Sequence, residues 1–227
     1  MNLPAELRIE AAVDPSEHPA LVASAQQLAE CLTAAVGRSP TIQLNFADSF
    51  EAIGSVSLPV IAIVSLLPEL ARSAESWSET RERWQVRAAT LVRRAIPVTL
   101  LCTIFRHVAE RKTDRPPGSS PSAIERIRRL NLLAAGLSHA TGIGVADVDR
   151  VFAHFGARMA LTDHRLNGTI AAELAGHTIV SAILASDLDA VLAREVVERA
   201  KEFHGTRSQD IVVRVQRRLA AAGRPAK

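Results

Sequence analysis

The chain has 227 residues, enough for one substantial α/β domain and too few for two ordinary domains joined by a linker. Hydrophobic residues make up 48% of it, yet no apolar run approaches the roughly 20 residues of a membrane span. The net charge of +3 would allow a nucleic-acid partner, but aromatic residues are only 4% of the chain and tyrosine is absent, so side chains for base stacking are scarce.

The N-terminus and the two cysteines predict the compartment. The opening MNLPAELRIEAAVD lacks the basic start, apolar block and cleavage site of a secretory signal. Cys31 and Cys102 lie in apolar segments without neighbours at metal-ligand spacing. Buried free thiols in a reducing cytosol are the simplest interpretation, with a disulfide as the alternative, so we expect a cytoplasmic protein.

Short apolar runs alternate with helical periodicity at the start of the chain, as in parallel strands joined by crossover helices. Residues 7–13 are predicted to form the first strand and residues 19–36 a helix that ends at Gly37. Residues 41–46 alternate apolar and polar side chains, which indicates a less buried strand.

The middle of the chain holds two nearly continuous apolar runs, PVIAIVSLL over residues 59–67 and VTLLCTIF over residues 98–105. Such runs are typical of central strands covered on both faces. Residues 78–94 between them carry alternating charge and fit a helix. A polar loop rich in proline, glycine and serine follows over residues 111–122.

A helix over residues 124–140, a strand over 143–148 and a helix over 169–184 complete the predicted sheet domain. The fold class expected is therefore α/β, a three-layer α/β/α domain with a mainly parallel sheet of about five strands. The domain is predicted to span residues 1–186. Residues 187–227 form a C-terminal extension, predicted as two amphipathic helices.

Residues 124–184 carry the most informative pattern, in which helix, strand, polar loop and helix follow one another. They include IERIRRLNLLAAGLSHATG, IGVADVDRVF and LTDHRLNGTIAAELAGHTIVSAIL. This stretch resembles the C-terminal third of an SGNH-type (GDSL-like) hydrolase domain. The resemblance implies an SGNH or flavodoxin-like sheet over about residues 7–185, with a site at the carboxyl ends of its strands.

In that family a nucleophilic serine follows the first strand, and a histidine before the last helix takes its proton. The resemblance places the serine at Ser16, although Val13-Asp14-Pro15-Ser16 stands where the family has Gly-Asp-Ser. Asp14 is a candidate binding residue beside it. The alternative is that Asp14 or Ser16 caps the helix that begins near Pro19.

The family's oxyanion donors are a glycine and an asparagine in two further loops. Asn45 lies at the end of the second strand, without a glycine in the expected turn. The third block has Ser65-Leu66-Leu67 where the family has Gly-x-Asn, so Ser65 is the candidate binding residue there. Losing one such donor typically lowers turnover by about 10²–10³.

The loop before the last helix supplies His164 as the candidate base and Asp163 as its partner, although the family spacing would put the aspartate three residues earlier, at Leu161. Surface hydrogen bonds at a helix start are the alternative role. Arg106 and His107 follow the fourth strand, where an arginine could hold a carboxylate or phosphate. No Walker A loop, G-x-G-x-x-G or zinc pattern occurs in the sequence, so no cofactor or metal is expected.

Two function classes stay open at this point. The favoured hypothesis is an SGNH-like cytoplasmic protein with weak or lost ester hydrolase or acyl-transfer activity that binds a small acylated or carbohydrate ligand. The alternatives are an active serine esterase or acyltransferase that uses Ser16 and His164, and a noncatalytic protein-interaction module. A protein partner or self-association through the C-terminal helices is also a hypothesis, whereas nucleic acid and membrane are not expected as partners.

Overall fold

A parallel sheet of five strands lies at the centre of the protein. The structure, a computed structural model, describes residues 6–55, 60–72, 74–107, 123–155 and 162–222. The strand order is β2-β1-β3-β4-β5, and every neighbouring pair is parallel. The strands are β1 (Glu6–Ala12), β2 (Thr41–Phe46), β3 (Ile61–Ser65), β4 (Val98–Cys102) and β5 (Gly144–Ala146). The predicted α/β fold class is confirmed.

Six α-helices accompany the sheet in the described ranges. They are α1 (His18–Val36), α2 (Trp77–Arg93), α3 (Ala123–Thr141), α4 (Val148–Phe155), α5 (Thr169–Ala185) and α6 (Arg194–Ala222). α4 was not predicted from the sequence, and it follows β5 after a single residue. The predicted polar loop over residues 111–122 lies outside the described residues.

The two faces of the sheet build two separate apolar clusters, because successive side chains of a strand point to opposite faces. Ile61 and Ile63 of β3 belong to the cluster formed with α1, α5 and α6. Ala62 and Val64 belong to the other cluster, which α2 and α3 cover. All five β3 residues are buried, as the continuous apolar run predicts.

α1 and α5 approach each other closely at Gly176. A Cβ atom built on Gly176 would lie 2.9 Å from the backbone nitrogen of Ser24 and 3.0 Å from the carbonyl oxygen of Ala20. Because α1 begins directly after the loop that follows β1, this packing also fixes that loop against the start of α5.

The predicted pair of C-terminal helices is wrong. α6 is one continuous helix of 29 residues, preceded by a short 3-10 turn at Leu188–Ala190. Its buried side chains Val196, Val197, Ala200 and Ile211 join the cluster shared with α1 and α5. The apolar stripe of α6 therefore packs inside the same chain. Within the described ranges, no helix combines the length and apolarity needed to cross a bilayer.

Candidate functional site

The carboxyl ends of β1, β3, β4 and β5 gather most of the candidate side chains at one edge of the sheet. β1 lies between β2 and β3, so the chain leaves β1 to one side and later returns on the other. Ligands of open α/β sheets commonly bind at this switch point, outside the carboxyl ends of the strands. The loops that follow β1 and β3 meet there.

Asp14 and Ser16 form a helix cap after β1. The Asp14 side chain accepts hydrogen bonds from the Ser16 backbone N–H at 3.0 Å and from the Ser16 hydroxyl at 2.7 Å. Asp14 has extended backbone geometry and begins the 3-10 turn Pro15–Glu17, which leads into α1. Asp14 therefore caps this 3-10 turn, whereas α1 itself, predicted to be capped by Asp14 or Ser16, begins without a side-chain cap. The Ser16 hydroxyl proton is directed to Asp14.

Glu17 is the buried residue of this loop, and the sequence reasoning overlooked it. One carboxylate oxygen accepts from the Asp14 backbone N–H at 2.9 Å, and the other accepts from the Ser65 hydroxyl at 2.8 Å. Burial raises the pKa of Glu17 from 4.5 to about 7, against the lowering effect of these two hydrogen bonds. The signal was available in the sequence, because Asp14-Pro15-Ser16-Glu17 has the spacing of a capping box.

Ser65 ends β3 and is buried. Its hydroxyl donates to Glu17, and its oxygen also accepts from the backbone N–H of Leu67 at 3.0 Å. The start of the loop after β3 is thus held by a hydrogen bond to its own serine. Burial, together with the nearby Glu17 carboxylate, also raises the pKa of the Cys102 thiol at the end of β4.

Asp163 and His164 lie in the loop before α5. The Asp163 carboxylate is held by the Arg165 guanidinium, with contacts of 2.6 and 3.1 Å, and this bond lowers the pKa of Asp163. His164 Nδ1 is buried and makes no hydrogen bond to the described residues, and it lies 4.0 Å from Asp163 Oδ1. The Asp163 carboxylate therefore binds Arg165 and does not hold the His164 imidazole in position.

Arg106 and His107 follow β4 and are tied to two other loops. Arg106 Nε lies 2.6 Å from Asp149 Oδ2, and its backbone N–H donates to Asp149 Oδ1 at 2.9 Å. The carbonyl of His107 accepts from the backbone N–H of His164 at 2.8 Å. This backbone bond anchors the loop of Asp163 and His164 to the edge of the sheet.

Asn45 lies on β2, an outer strand of the sheet. It is exposed, and it pairs in register with Glu10 of β1. The structure thus brings the loops of Ser16 and Ser65 together through Glu17. It joins the loops of Arg106, His107 and His164 in a second group.

A cavity of about 780 Å³ opens beside Ser16, between α1, the start of α5 and α6. Leu166, Asn167, Gly168 and Thr169 line it opposite Ser16, whereas His164 is not part of its lining. Its other lining residues are His18, Pro19, Val22, Ala23, Gln26, Gln27, Glu30, Ala172, Glu173, Arg207 and Ile211. The volume falls within the range of small-molecule sites.

The charges around this cavity are paired. Glu30 forms an ion pair with Arg207, and Glu173 forms one with Arg214 at 2.9 Å. A cavity with balanced charge and an apolar wall of Pro19, Val22 and Ala172 suits a neutral, partly apolar ligand better than an ion.

Comparisons with known proteins extend the picture at the level of the fold. No protein-family model matches the sequence, and no curated protein matches it significantly. Among solved structures, the acetyl xylan esterase AlAXEase aligns with a TM-score of 0.56 at 13% identity, over 78% of this chain and 100% of the esterase.

Two further structures align similarly well. A protein designated an SGNH hydrolase from Slackia heliotrinireducens gives a TM-score of 0.52 at 14% identity, over 78% of this chain and 98% of its own. A protein designated a GDSL-like lipase from Parabacteroides merdae gives 0.57 at 14% identity, over 80% of this chain and 97% of its own. The likeness predicted from residues 124–184 is therefore confirmed at the level of architecture, and the chain has an SGNH/GDSL-like hydrolase fold.

Proposed function

We propose that this chain is an SGNH-fold protein that binds a small neutral acylated ligand and hydrolyses esters weakly or not at all. The observation that carries the proposal is the hydrogen bond from the Ser16 hydroxyl to Asp14. A serine nucleophile needs a base that takes its proton as it attacks. Here the Ser16 hydroxyl donates instead to Asp14, which caps the turn before α1. A carboxylate is a weaker base than an imidazole for that purpose.

The surroundings of Ser16 support the same proposal. The Leu67 N–H, in the loop that would donate to an oxyanion, bonds to Ser65 instead. Asp163, which would orient His164, bonds to Arg165. Because each of these groups already has a partner, assembly of a hydrolytic site would require three loops to rearrange at once.

The cavity beside Ser16 supports the proposal that the chain binds a ligand. Its lining combines apolar side chains with the hydroxyl of Ser16 and the amides of Gln26 and Asn167, while its carboxylates are paired with arginines. An acyl group offers an apolar tail and a carbonyl acceptor, which matches such a lining. A cytoplasmic location is part of the proposal and is supported by Cys31 and Cys102, both buried free thiols.

The first test addresses catalysis. A serine-reactive fluorophosphonate should leave Ser16 unlabelled, and p-nitrophenyl acetate should be hydrolysed equally by the native protein and by Ser16→Ala, since the hydroxyl lacks an imidazole base. Labelling that disappears in Ser16→Ala, with hydrolysis reduced by about 10²-fold or more, would instead establish an active serine esterase.

The second test addresses binding. Butyramide has a short acyl chain and cannot be hydrolysed as an ester. It should shift the NMR signals of residues around the cavity beside Ser16. Val22→Trp should weaken this effect because the exposed Val22 side chain lines the cavity. Val86→Trp is the matched control, since Val86 is exposed on α2, across the sheet. Equal shifts in both variants would contradict the proposed binding site.

A further inference from the structure

A second cavity, of about 510 Å³, opens at the carboxyl ends of β4 and β5, between α3 and α4. Its wall combines apolar side chains with three arginines and two aspartates. The lining residues are Thr103, Arg106, Arg128, Asn131, Leu132, Ala135, Val145, Asp147, Asp149, Arg150 and Ala153. None of these residues lines the cavity beside Ser16. The volume is that of a small-molecule site, so the charges of the wall decide what it can bind.

Both carboxylates of this wall already have partners inside the protein. Asp149 is buried and accepts from the Arg106 backbone N–H at 2.9 Å, while its other oxygen lies 2.6 Å from Arg106 Nε. Asp147 caps the start of α4, because its side chain accepts from the Arg150 backbone N–H at 3.1 Å and from the Thr103 hydroxyl at 3.2 Å. The two aspartates therefore hold the loops and helix around the cavity together.

The three arginines, in contrast, keep donors that the described residues do not use. Arg106 contacts Asp149 through Nε, which leaves both of its Nη groups, and its side chain is 47% exposed. Arg128 on α3 and Arg150 on α4 are exposed, and neither side chain has a hydrogen bond or an ion pair to the described residues. Because Arg106 and Asp149 offset each other, Arg128 and Arg150 leave the wall with more positive than negative charge. Such a cavity attracts an anion.

Hydrogen bonds between elements fix the backbone that carries these arginines. The Asn131 amide on α3 accepts from the Ile104 backbone N–H and donates to the Ile104 carbonyl, each at 2.8 Å. The Asp149 backbone N–H on α4 donates to the Thr103 hydroxyl at 3.1 Å. The loop after β4 is thus tied to both helices. A ligand would have to order only arginine side chains, which lowers the free-energy cost of binding.

The arrangement of the arginines distinguishes between kinds of anion. A guanidinium can donate two parallel hydrogen bonds to a carboxylate or to a phosphate. A carboxylate has its two oxygens in one plane, whereas a phosphate group has oxygens in several directions and carries nearly two charges close to neutral pH. The arginines come from three elements, the loop after β4, α3 and α4. Donors from three sides suit a phosphate group better than a carboxylate.

We propose that this second cavity binds the phosphate group of a small phosphorylated molecule. Arg128 and Arg150 bind the phosphate oxygens from α3 and α4, and the Nη groups of Arg106 complete the site. The apolar side chains of Leu132 and Val145 contact the rest of the ligand. The site is separate from the acyl-binding cavity, and it does not depend on ester hydrolysis.

Calorimetric titration with inorganic phosphate tests the site, near neutral pH and at constant ionic strength. We expect saturable binding at millimolar concentrations or below, with acetate at least about tenfold weaker. Arg128→Gln and Arg150→Gln should each lower the affinity for phosphate by about fivefold or more, because each removes a charged donor. Arg81→Gln is the matched control and should bind phosphate as the native protein does, since Arg81 is exposed on α2 and does not line this cavity.

Asp147→Asn gives a readout that loss of structure cannot produce. Asparagine caps a helix as well as aspartate does, so α4 keeps its cap while one negative charge leaves the wall. Phosphate should then bind about two- to fivefold more tightly. The proposal is overturned if phosphate gives no saturable signal, if Arg128→Gln and Arg150→Gln both keep the native affinity, or if Arg81→Gln weakens binding as much as they do. Acetate that binds as tightly as phosphate, or an affinity that Asp147→Asn does not raise, would also contradict it.

Discussion

Glu17 combines two features that are rarely found together, a helix-capping role and full burial. A capping box on a protein surface leaves its glutamate in water, as Glu79 does at the start of α2. Glu17 instead lies beneath the loop after β1 and joins it to Ser65 of β3. Its carboxyl group therefore stabilises the switch point through hydrogen bonds and opposes folding when it carries a charge.

The burial of the Glu17 carboxyl group predicts that the stability of the protein depends on pH. The pKa of Glu17 is about 7 in the folded protein and near 4.5 when unfolded, so the folded state binds the additional proton between these values. The contribution of this group to the free energy of unfolding should fall as pH rises from about 4.5 to about 7, by up to roughly 3 kcal/mol. Urea unfolding at a series of pH values measures it.

Glu17→Gln should remove this contribution, because an amide cannot ionise, so its pH profile should differ from that of the native protein over this range. The amide oxygen can still accept from Ser65, although its NH₂ group cannot accept from the Asp14 N–H. Glu79→Gln is the matched control. Its pKa is lowered by the bond to Ser76, so Glu79 stays ionised over the same range and the slope should persist. A slope unchanged by Glu17→Gln would assign the effect to another group.

Among the helices, the contact between α1 and α5 depends on the lack of a side chain at Gly176. Gly176→Ala places a Cβ atom against backbone atoms of Ser24 and Ala20, and backbone cannot move aside as a side chain can. We expect a loss of about 1–3 kcal/mol in the free energy of unfolding. Gly136→Ala on α3 meets nothing within 4 Å and should stabilise by about 0.5–1 kcal/mol. Thermal and urea unfolding of both variants test the pair.

α6 predicts a further difference between two valines of one helix. Val197 is 2% exposed and packs with α1 and α5, whereas Val213 is 43% exposed. Val197→Asp should destabilise the protein by about 3 kcal/mol or more because it buries an unpaired charge, and Val213→Asp should change stability by less than about 0.5 kcal/mol. Urea unfolding compares them.

Light scattering of the same two variants addresses self-association through α6, which stays a hypothesis. Among the described side chains of α6, Phe203 and Val213 are exposed large apolar ones that could contact another chain. If a dimer forms through them, Val213→Asp lowers the measured mass and leaves the fold intact. An unchanged mass would leave α6 with its intramolecular role alone.

The sheet and its helices followed from the sequence, because β3 and β4 are apolar on both faces and the helices keep regular apolar spacing. α4 was overlooked because it has only eight residues and begins at Val148, which the sequence prediction placed at the end of the preceding strand. α6 was divided in two because its apolar residues fall into two groups on either side of residues 204–210, yet the helix continues through this mostly polar stretch and buries His204.

The candidate site was less predictable. Topology placed the loops after β1 and β3 side by side, but side-chain partners are chosen by local competition. Ser16 bonds to Asp14, two residues away, and Asp163 bonds to Arg165 at the same separation. The bond from Ser65 to Glu17 joins residues 48 positions apart and has no periodic signature. Strand order predicts which loops meet, whereas these hydrogen bonds determine which of their polar groups already have partners.

At the scale of the whole molecule, two buried histidines should change stability with pH in the direction opposite to that of Glu17. The rings of His177 on α5 and His204 on α6 stack with 4.0 Å between centroids. His177 Nε2 lies 2.8 Å from the Ser208 hydroxyl, and His204 Nε2 lies 2.7 Å from that of Ser181. Burial lowers the pKa of His177 from 6.5 to about 4 and also lowers that of His204. Packing of α6 on α5 therefore favours the neutral form of both imidazoles.

As pH changes, Glu17 and the two histidines should change the free energy of unfolding in opposite directions. Because the pKa of His177 is lowered on folding, its contribution is present above about 6.5 and is lost as pH falls toward 4. Glu17 has the reverse effect between about 4.5 and 7. The native protein should thus show a shallow profile from pH 4.5 to 6.5, where each slope offsets the other.

Substitution of either cluster should expose the other. Glu17→Gln should make the protein clearly less stable at pH 5 than at pH 7, since only the histidines then respond. His177→Gln keeps a partner for Ser208 and removes one titrating ring, so it should raise the stability at pH 5 relative to that at pH 7.

The stability of the double variant should depend on pH only through His204 in this range. Urea unfolding of all four proteins between pH 4.5 and 7.5 measures the slopes. Parallel profiles in the native protein and both single variants would contradict the opposition, because each substitution removes a group of known sign.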